Sequence, residues 1–506
     1  MKETETTGKT GSPSPKAASR PLWYKLALGL TAGVVVFLVG WYAYLQLQAW
    51  SSLRHWNEYK ARLEAGGEKL DVQALAPPPL PDDKNFANHP LIAKWFASET
   101  TALTNGTQRW FFAPGAEDPD RRRAASGPGR GDTRGSLLER WAAYYSGHKA
   151  FPQAPAGSSP AQVVRTALSI YDADIAALRE AMKQRPSCRY PLNYEMGGAV
   201  NYPHLVGCRS LCATLELRVM SFLHLGQVED ALAELQLGYF ISDTLKSDPL
   251  LMSLLVRMAV DQMMCDAVVE GIQLRSWNDA HLASIAQYLA QRQYMTEFAS
   301  VLRGERNVAV HQTELLRQGQ VHAAAGDTDL TTAGRRTMKL LPQGLYYRNL
   351  VGLVNWYQEE VLPTVNVSSR RLDKQRLQSL KETLPVFEDN AYGVDAQQSL
   401  TAIYNGALKA AHWQTLGDAL MTACALERFR LAQGGLPQKL EELTPKFLPA
   451  VPVDCLTGKP LSWRKESEDS YRVYGWGWNG KDDNGRTGRQ LEDGDWGLAI
   501  KLLQKN

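Results

Sequence analysis

Residues 26–53 form a run of 28 positions without a charged side chain, and this run constrains the fold more than any other feature. Its core, LALGLTAGVVVFLVGWYAYLQLQAW, supplies the ~20 apolar residues that a helix needs to cross the ~30 Å hydrocarbon layer of a membrane. Aromatic residues stand near both ends, as in the interfacial belts of membrane helices. The pattern predicts a single transmembrane helix over 21–47, with residues 26–46 in the bilayer.

A cleaved signal peptide and a buried soluble helix are the alternatives to a membrane span. The apolar run is too long for a signal peptide, and no small-x-small cleavage site follows it. A soluble helix would carry a polar face, and this segment has none. Five basic residues precede the helix and three follow it closely, which favours a cytoplasmic N-terminus. The bulk of the chain would then be periplasmic, anchored in the inner (cytoplasmic) membrane.

The partners suggested by composition are the bilayer and, through the span, a second copy. Gly29 and Gly33 form a small-xxx-small pair that would let two such helices approach closely, which leaves a homodimer open. The 506 residues include 56 Lys+Arg and 53 Asp+Glu, and a net charge of +3 gives no basic footprint for nucleic acid. The sequence therefore predicts a lipid bilayer partner through residues 26–46 and no nucleic-acid partner.

Composition divides the chain into five parts. Residues 1–20 are predicted to be a disordered cytoplasmic tail that precedes the transmembrane helix. Residues 48–159 combine a polar helix, the polyproline spacer ALAPPPLPDD and flexible loops rich in glycine and charge. Residues 160–432 show the 4-3 apolar spacing of core-facing helices. Residues 433–506 carry short alternating runs between prolines and glycines, which predicts a small β-rich C-terminal unit.

Helical hairpins are predicted within 160–432. Gly226 can supply a left-handed C-cap, and Gly434 ends the last helix. Ser276 and Asp279 have the spacing of a capping box, which predicts another helix start. Such hairpins resemble tetratricopeptide units without the full 34-residue signature. The predicted fold class is mainly α: one N-terminal transmembrane helix, an irregular helical array and a small C-terminal antiparallel β unit.

Charged and sulfur-containing side chains in the helical part are interpreted as structural. Arg257 and Asp261 lie one turn apart in an apolar helix, and we expect them to satisfy each other. A structural zinc site is not expected, because no C-x-x-C pair is present. In an exported domain Cys188 and Cys208 would be able to form a disulfide, which the sequence leaves open. The six cysteines are Cys188, Cys208, Cys212, Cys265, Cys424 and Cys455.

Signatures of catalysis are missing from the sequence. It contains no G-x-S-x-G elbow and no H-E-x-x-H, and its histidines are scattered singly, so no catalytic residue, cofactor or metal is predicted. The loop PSCRYPLNYEMGG offers Arg189, Tyr190, Tyr194 and Glu195, a group able to bind a carboxylate or a peptide. The alternative interpretation is a long connector whose tyrosines cover the core.

The stretch YGWGWNGKDDNG near the C-terminus combines aromatic, glycine and acidic residues. Tyr474, Trp476 and Trp478 alternate with glycines, so their side chains are expected on one face of a strand. The Asn-Gly dipeptides predict tight turns. Neither register of the acidic residues supplies the oxygen ligands of an EF-hand loop. We therefore expect a structural aromatic strand.

Several segments, taken in order, resemble a family of uncharacterised single-pass bacterial envelope proteins. They are PPPLPDDKNFANHPL, PSCRYPLNYE, ALERFRLAQGGLPQKLEELTPKFLPAVPVDCLTGKPLSW, YGWGWNGKDDNG and GDWG. The resemblance implies a helical extracytoplasmic domain with a small terminal β unit and implies no activity. About the last 100 residues are also similar to the C-terminal part of type II secretion pseudopilins. That similarity implies a looser calcium site at Asp482, Asp483, Asp493 and Asp495, although no prepilin cleavage motif precedes the membrane helix.

Together these patterns predict a membrane-anchored extracytoplasmic scaffold or interaction protein. An envelope hydrolase with a site near Arg189, Tyr194 and Glu195 is one alternative, and it requires a polar pocket that gathers these residues. A component of a secretion or pilus-like assembly is the other alternative.

Overall fold

The computed structural model describes residues 22–96, 136–318, 343–383 and 396–503. The predicted tail 1–20 and much of the predicted loop region lie outside the described residues. The helices are α1 (Leu22–Ala65), α2 (Pro90–Ala93), α3 (Leu137–Ser146), α4 (Pro160–Ala167), α5 (Asp172–Gln184), α6 (Pro203–His224), α7 (Val228–Thr244), α8 (Leu251–Gln273), α9 (Asp279–Ala290), α10 (Tyr294–Gln318), α11 (Gln343–Trp356), α12 (Lys374–Ser379) and α13 (Ala396–Gln433). The strands are β1 (Val365–Asn366), β2 (Arg371–Leu372), β3 (Ser462–Ser467), β4 (Ser470–Gly475) and β5 (Trp496–Lys501).

Helix α1 continues without interruption from the predicted span into the domain. Among the described residues, one helix is long and apolar enough to cross a membrane, and it is this one. Its most apolar 18-residue window has a mean hydropathy of 2.0 and is not buried by any other part of the structure. Length and composition therefore suit a single-pass membrane protein.

Beyond the predicted span, α1 packs along α11, and the two helices run parallel. Gly344 lies against the backbone of α1, because a Cβ at this position would be 3.1 Å from the amide nitrogen of Ala49. About three helical turns further along, the Tyr59 hydroxyl donates to Asn355 Oδ1 at 3.4 Å. Trp56 and the apolar side chains of α11 form a separate small core between these two contacts.

The segment after α1 stays attached to the domain. Leu70 and Val72 are buried, and the buried guanidinium of Arg306 donates to Lys69 O at 2.8 Å. The prolines at 77–79 therefore connect two docked segments and do not separate the domain from the membrane.

The helical array has two main cores that meet along α13. Helices α3–α9 and the second half of α13 surround one core, whereas α10, α11 and the first half of α13 surround the other. Gly226 and Gly434 have φ angles of 72° and 80° at the ends of α6 and α13, as predicted. The predicted capping box at Ser276 is wrong, because the Asn278 side chain caps α9 by accepting from His281 N. The fold is mainly helical, as predicted.

The predicted small antiparallel sheet near the C-terminus has three strands in the order β3-β4-β5. It covers the second half of α13. Tyr471 of β4 is fully buried, and its hydroxyl donates to Glu427 Oε1 of α13 at 3.0 Å. A short antiparallel hairpin, β1-β2, with two residues in each strand, was not predicted. Its turn holds Arg370 with a φ of 52° beside a cavity that α9 and α13 also line.

The aromatic run after β4 differs from the prediction. β4 ends at Gly475, so Trp476 and Trp478 do not continue its face. Trp478 is buried in the second core, whereas Trp476 is half-buried beneath Lys459 Nζ, which is 3.7 Å from the ring centroid. Tight turns follow as expected, with a positive φ at Gly480, Asn484 and Gly485.

Candidate functional site

The predicted loop 186–198 is tied to the domain through Asn85. The Asn85 side-chain amide donates to Arg189 O at 2.9 Å, and its oxygen accepts from Arg189 N at 2.9 Å. The backbone N–H of Phe86 donates to Ser187 O at 2.8 Å. These bonds fix the path of the loop and decide which of its side chains enter the core.

The two tyrosines of this loop point inward. The Tyr190 hydroxyl lies 2.8 Å from Thr244 Oγ1 and 3.4 Å from Cys208 Sγ. Tyr194 donates to Asp248 Oδ1 at 3.0 Å. Burial raises the pKa of both phenols, and for Tyr194 the nearby Asp248 carboxylate raises the pKa further. Both tyrosines therefore stay protonated as buried hydrogen-bonding groups.

Arg189 and Glu195 do not join the tyrosines at a shared site. Glu195 is exposed; its carboxylate accepts from Gln73 Nε2 at 2.6 Å, and its carbonyl accepts from His311 Nε2 at 2.8 Å. Arg189 is held through its backbone. The geometry thus agrees with a connector whose tyrosines cover the core, and the four residues do not converge on one ligand.

Beside the tyrosines lies a buried His204–Asp248 pair that sequence reasoning missed. His204 Nε2 is 3.0 Å from Asp248 Oδ2, and the imidazole stacks on Tyr190 with ring centroids 4.2 Å apart. Such a pair can move protons in an open active site. Here the His204 side chain has no exposed surface, so the pair is a structural contact inside the core. A single histidine in an apolar helix gives no sequence signal of this partner 44 residues away.

The disulfide considered between Cys188 and Cys208 is not formed, because both are free thiols. Burial raises the pKa of the Cys208 thiol to about 12 and raises that of Cys188 as well. Neither thiol therefore supplies the thiolate that a nucleophile or metal ligand requires.

A polar cleft of about 820 Å³ lies among α4, α5, α6 and α7. Its buried Arg218 donates to Glu234 Oε2 at 2.8 Å and to Asp172 Oδ1 at 2.6 Å. Arg165 donates to the other oxygen of Asp172 at 2.9 Å. These charged groups pair with one another, so the floor of the cleft is an ion-pair network whose members already have partners.

A second cavity of about 690 Å³ lies between α9, α13 and the segment 447–453, and we refer to it as the α9–α13 groove. Its lining is mainly apolar. Three alanines of α9, Ala283, Ala286 and Ala290, face Met421 and the segment 447–453. Gln287, Arg370, Asp418 and Arg428 are its polar lining residues. None of the four loop residues predicted as a site lines this groove or the polar cleft.

The carboxyl group of Asp418 is the most perturbed group in the groove. Asp418 is 7% exposed, and its Oδ2 accepts from Gln414 Nε2 at 3.1 Å. Burial raises its pKa to about 6, although the hydrogen bond from Gln414 and the positive charge of Arg370 both act to lower it. A carboxyl group that titrates near neutrality in an apolar groove is typical of functional sites.

The rim of the groove carries positive charge. Arg428 is paired, because its Nε donates to Asp279 Oδ1 at 2.9 Å. Arg370 donates to the neutral Gln293 Oε1 at 3.3 Å, and the Lys446 ammonium lies 5.1 Å from the Phe447 ring centroid. Within the described part of the chain, neither Arg370 nor Lys446 has a carboxylate within 4.0 Å. Arg370 is therefore a groove-lining cation that is available to an incoming anionic group, and Lys446 adds a second positive charge beside the lining residue Phe447.

The acidic C-terminal turns are held by internal hydrogen bonds. Asp482 Oδ1 accepts from Asn484 N at 2.8 Å and from the Tyr474 hydroxyl at 3.2 Å. Asp495 Oδ2 accepts from Gly485 N at 2.7 Å. Over 22–96, 136–318, 343–383 and 396–503, no group of three or more His, Cys, Asp or Glu residues is placed to hold a metal ion.

Known proteins offer no closer guide to the site. No protein family, curated protein or solved structure matches this chain. The geometry of the α9–α13 groove therefore carries the functional argument.

Proposed function

We propose that this chain is a membrane-anchored interaction protein whose extracytoplasmic domain binds a partner protein in the α9–α13 groove. The uncharged run 26–53, whose most apolar window is not buried, supports the anchor. The excess of basic residues before the span supports a cytoplasmic N-terminus and a periplasmic domain in the inner membrane. The domain itself would act as an irregular, tetratricopeptide-like scaffold of helical hairpins.

The observation that carries the proposal is the combination of apolar lining and a buried carboxyl group in one open groove. Apolar surface left in water forfeits ~25 cal/mol for each Å² that burial would remove, and contiguous apolar patches often mark binding sites. Asp418 adds a second cost, since its ionised form is buried at neutral pH. A partner that covers the groove would recover the first cost and could donate a hydrogen bond to Asp418.

Photo-crosslinking from the groove tests this proposal in the cells that make the protein. Gln287 lies exposed in the groove, and Gln184 is an equally exposed glutamine at the end of α5. With benzoylphenylalanine at each position in turn, we expect discrete protein adducts from position 287 and none of the same mass from 184. Identical adducts from both positions, or none from 287, would refute the groove as a partner site.

Topology is tested separately with a reporter. Alkaline phosphatase joined after residue 66 should be active, because it requires an oxidising, extracytoplasmic compartment to form its disulfides. A reporter that is active only in the cytoplasm should stay inactive at the same junction. The reverse pair of results would invert the proposed orientation and move the groove to the cytoplasm.

The remaining alternatives stay predictions of the sequence. A hydrolase near Arg189, Tyr194 and Glu195 gains no support from the geometry, because Tyr194 is buried and donates to Asp248, whereas the exposed Glu195 carboxylate accepts from Gln73. A secretion or pilus-like role rests on the pseudopilin resemblance alone. A homodimer through Gly29 and Gly33 has free space beside both glycines within this single chain.

A further inference from the structure

One wall of the α9–α13 groove is a stretch of extended backbone with a free edge. Val453 forms an antiparallel bridge with Pro460. The flanking N–H of Asp454 donates across the bridge at 2.8 Å, and the flanking carbonyl of Pro452 accepts across it at 2.9 Å. When the flanking groups make these bonds, the N–H and C=O of the bridging residue point to the opposite side. The backbone of Val453 is therefore directed away from Pro460.

On that opposite side the backbone groups have no partner. Within the described ranges, no hydrogen bond involves the backbone N–H or C=O of Val451 or Val453. Val453 is 36% exposed, and both valines line the groove. An unpaired edge of this kind is a template on which another extended chain can add as a strand.

The facing wall leaves room for the side chains of such a chain. It is formed by α9, where Ala283, Ala286 and Ala290 present only methyl groups to the groove. In strand addition the backbone bonds supply affinity, and pockets for alternate side chains supply specificity. The apolar floor and the alanine wall fit side chains of modest size, with an apolar residue at every second position.

The positive charge at the groove favours an incoming segment that carries an acidic group. Arg370 lines the groove and Lys446 lies over the ring of the lining residue Phe447. Neither has a carboxylate within 4.0 Å among the residues that the structure describes. An acidic side chain or a C-terminal carboxylate on the incoming segment would meet these cations, and Arg370 is able to bind it in a bidentate manner.

We propose that the partner binds as an extended, mainly apolar segment with an acidic residue, which adds as a strand beside Val451 and Val453. This inference rests on the proposed function and specifies its chemistry. It differs from helix-in-groove binding, in which the backbone of the partner makes no bonds to the groove.

The test uses the full chain in detergent micelles and a library of eight-residue peptides with one fixed aspartate and seven random positions. We expect the enriched peptides to alternate apolar residues. Val453→Pro removes the free N–H of Val453 and no internal hydrogen bond, and it should weaken the best enriched peptide at least tenfold. Val453→Thr keeps the N–H and the branched shape, and it should bind within twofold of the parent protein.

Changes in the peptide complete the test. N-methylation of amides on one edge of the peptide should weaken binding at least tenfold, whereas N-methylation on the other edge should have little effect. Exchange of the aspartate for lysine should also weaken binding at least tenfold, and Arg370→Gln should remove most of this preference.

The outcomes separate this inference from the proposed function. Ala290→Trp fills the exposed end of the groove, and Ala177→Trp makes the same change on the exposed face of α5. If no peptide binds the parent protein better than the Ala290→Trp variant, strand addition is refuted, and the crosslinks from Gln287 decide the proposed function independently. If peptides bind but Val453→Pro has no effect, the groove stands as a partner site and strand addition is wrong. Circular dichroism of each variant confirms that it is folded.

Discussion

Replacing Asp418 by asparagine should stabilise the folded protein at neutral pH. The carboxyl group is buried in the α9–α13 groove, and burial raises its pKa to about 6 from an ordinary value of 3.8. The folded state therefore holds a proton that the unfolded state has already released between these two pH values. Stability falls as pH rises through this window, and above pH 6 the full cost of the buried charge is present.

The magnitude follows from the two pKa values. The buried carboxyl group should cost about 2 kcal/mol at pH 5 and about 3 kcal/mol at pH 7.5. Asparagine has the same shape, can still accept from Gln414 and carries no charge at either pH. Asp418→Asn should thus raise the free energy of unfolding by up to these amounts, and the gain at pH 7.5 should exceed that at pH 5 by about 1 kcal/mol.

Urea unfolding of the full chain in detergent, followed by circular dichroism at both pH values, measures this difference. The slope of the transition should not change, so the effect appears as a shift of the midpoint. Asp418→Ala is a useful comparison, because it removes the charge and also leaves a cavity. A destabilised Asp418→Asn variant, or a gain that is the same at both pH values, would show that the carboxyl group is not held in its protonated form by burial.

Two further predictions concern packing and ion pairs. Arg218→Met leaves the buried carboxylate of Glu234 unpaired and should lower the free energy of unfolding by about 3–5 kcal/mol. Arg165→Met removes a partly exposed partner of Asp172 and should lower it by at most ~1 kcal/mol. Equal urea midpoints for the two variants would contradict the ion-pair network in the polar cleft. Gly352→Ala, which meets open space on α11, should stabilise by up to ~1 kcal/mol through helix propensity. Gly344→Ala on the same helix should instead lose about 1–3 kcal/mol through its contact with α1; a thermal melt in which both variants gain stability would show that α1 and α11 are not tightly packed.

Features encoded by local pattern were predictable from the sequence. The apolar run, the 4-3 spacing, the glycine caps and the alternating runs near the C-terminus each involve residues close together in the chain. They predicted a long N-terminal helix, a helical middle and a small sheet, and the structure has all three. The tetratricopeptide-like regularity of the array stays a prediction.

Contacts between distant segments were not predictable. Arg257 and Asp261 were expected to pair across one turn, but Arg257 pairs with Glu297 and Asp243. Asp261 accepts instead from the Tyr294 hydroxyl, because buried groups take whichever tertiary partner satisfies them best. Helical spacing alone cannot show that choice.

The α9–α13 groove could not be predicted from the sequence for the same reason. Its lining comes from α9, the β1-β2 turn, α13 and the segment 447–453, which are separated by up to ~170 positions. The stretch PAVPV lies within the predicted β-rich unit 433–506, and its pattern does not show which backbone groups are paired. Only its pairing with 459–461 shows that the edge of Val453 stays free.

The unbroken helix α1 fixes how far the domain can reach. Ala49, which contacts α11, is three residues past the predicted end of the span, so a domain anchored by residues 26–46 would begin ~4.5 Å above the hydrocarbon layer. A flexible linker of 20 residues would let a tethered domain move over ~25 Å, whereas an anchor continuous with this helix would hold the domain at a nearly constant height. Encounters with other membrane proteins then become a search in two dimensions at one level. A partner segment tethered outside that level would gain no effective concentration from sharing the membrane, however well its sequence suited the groove.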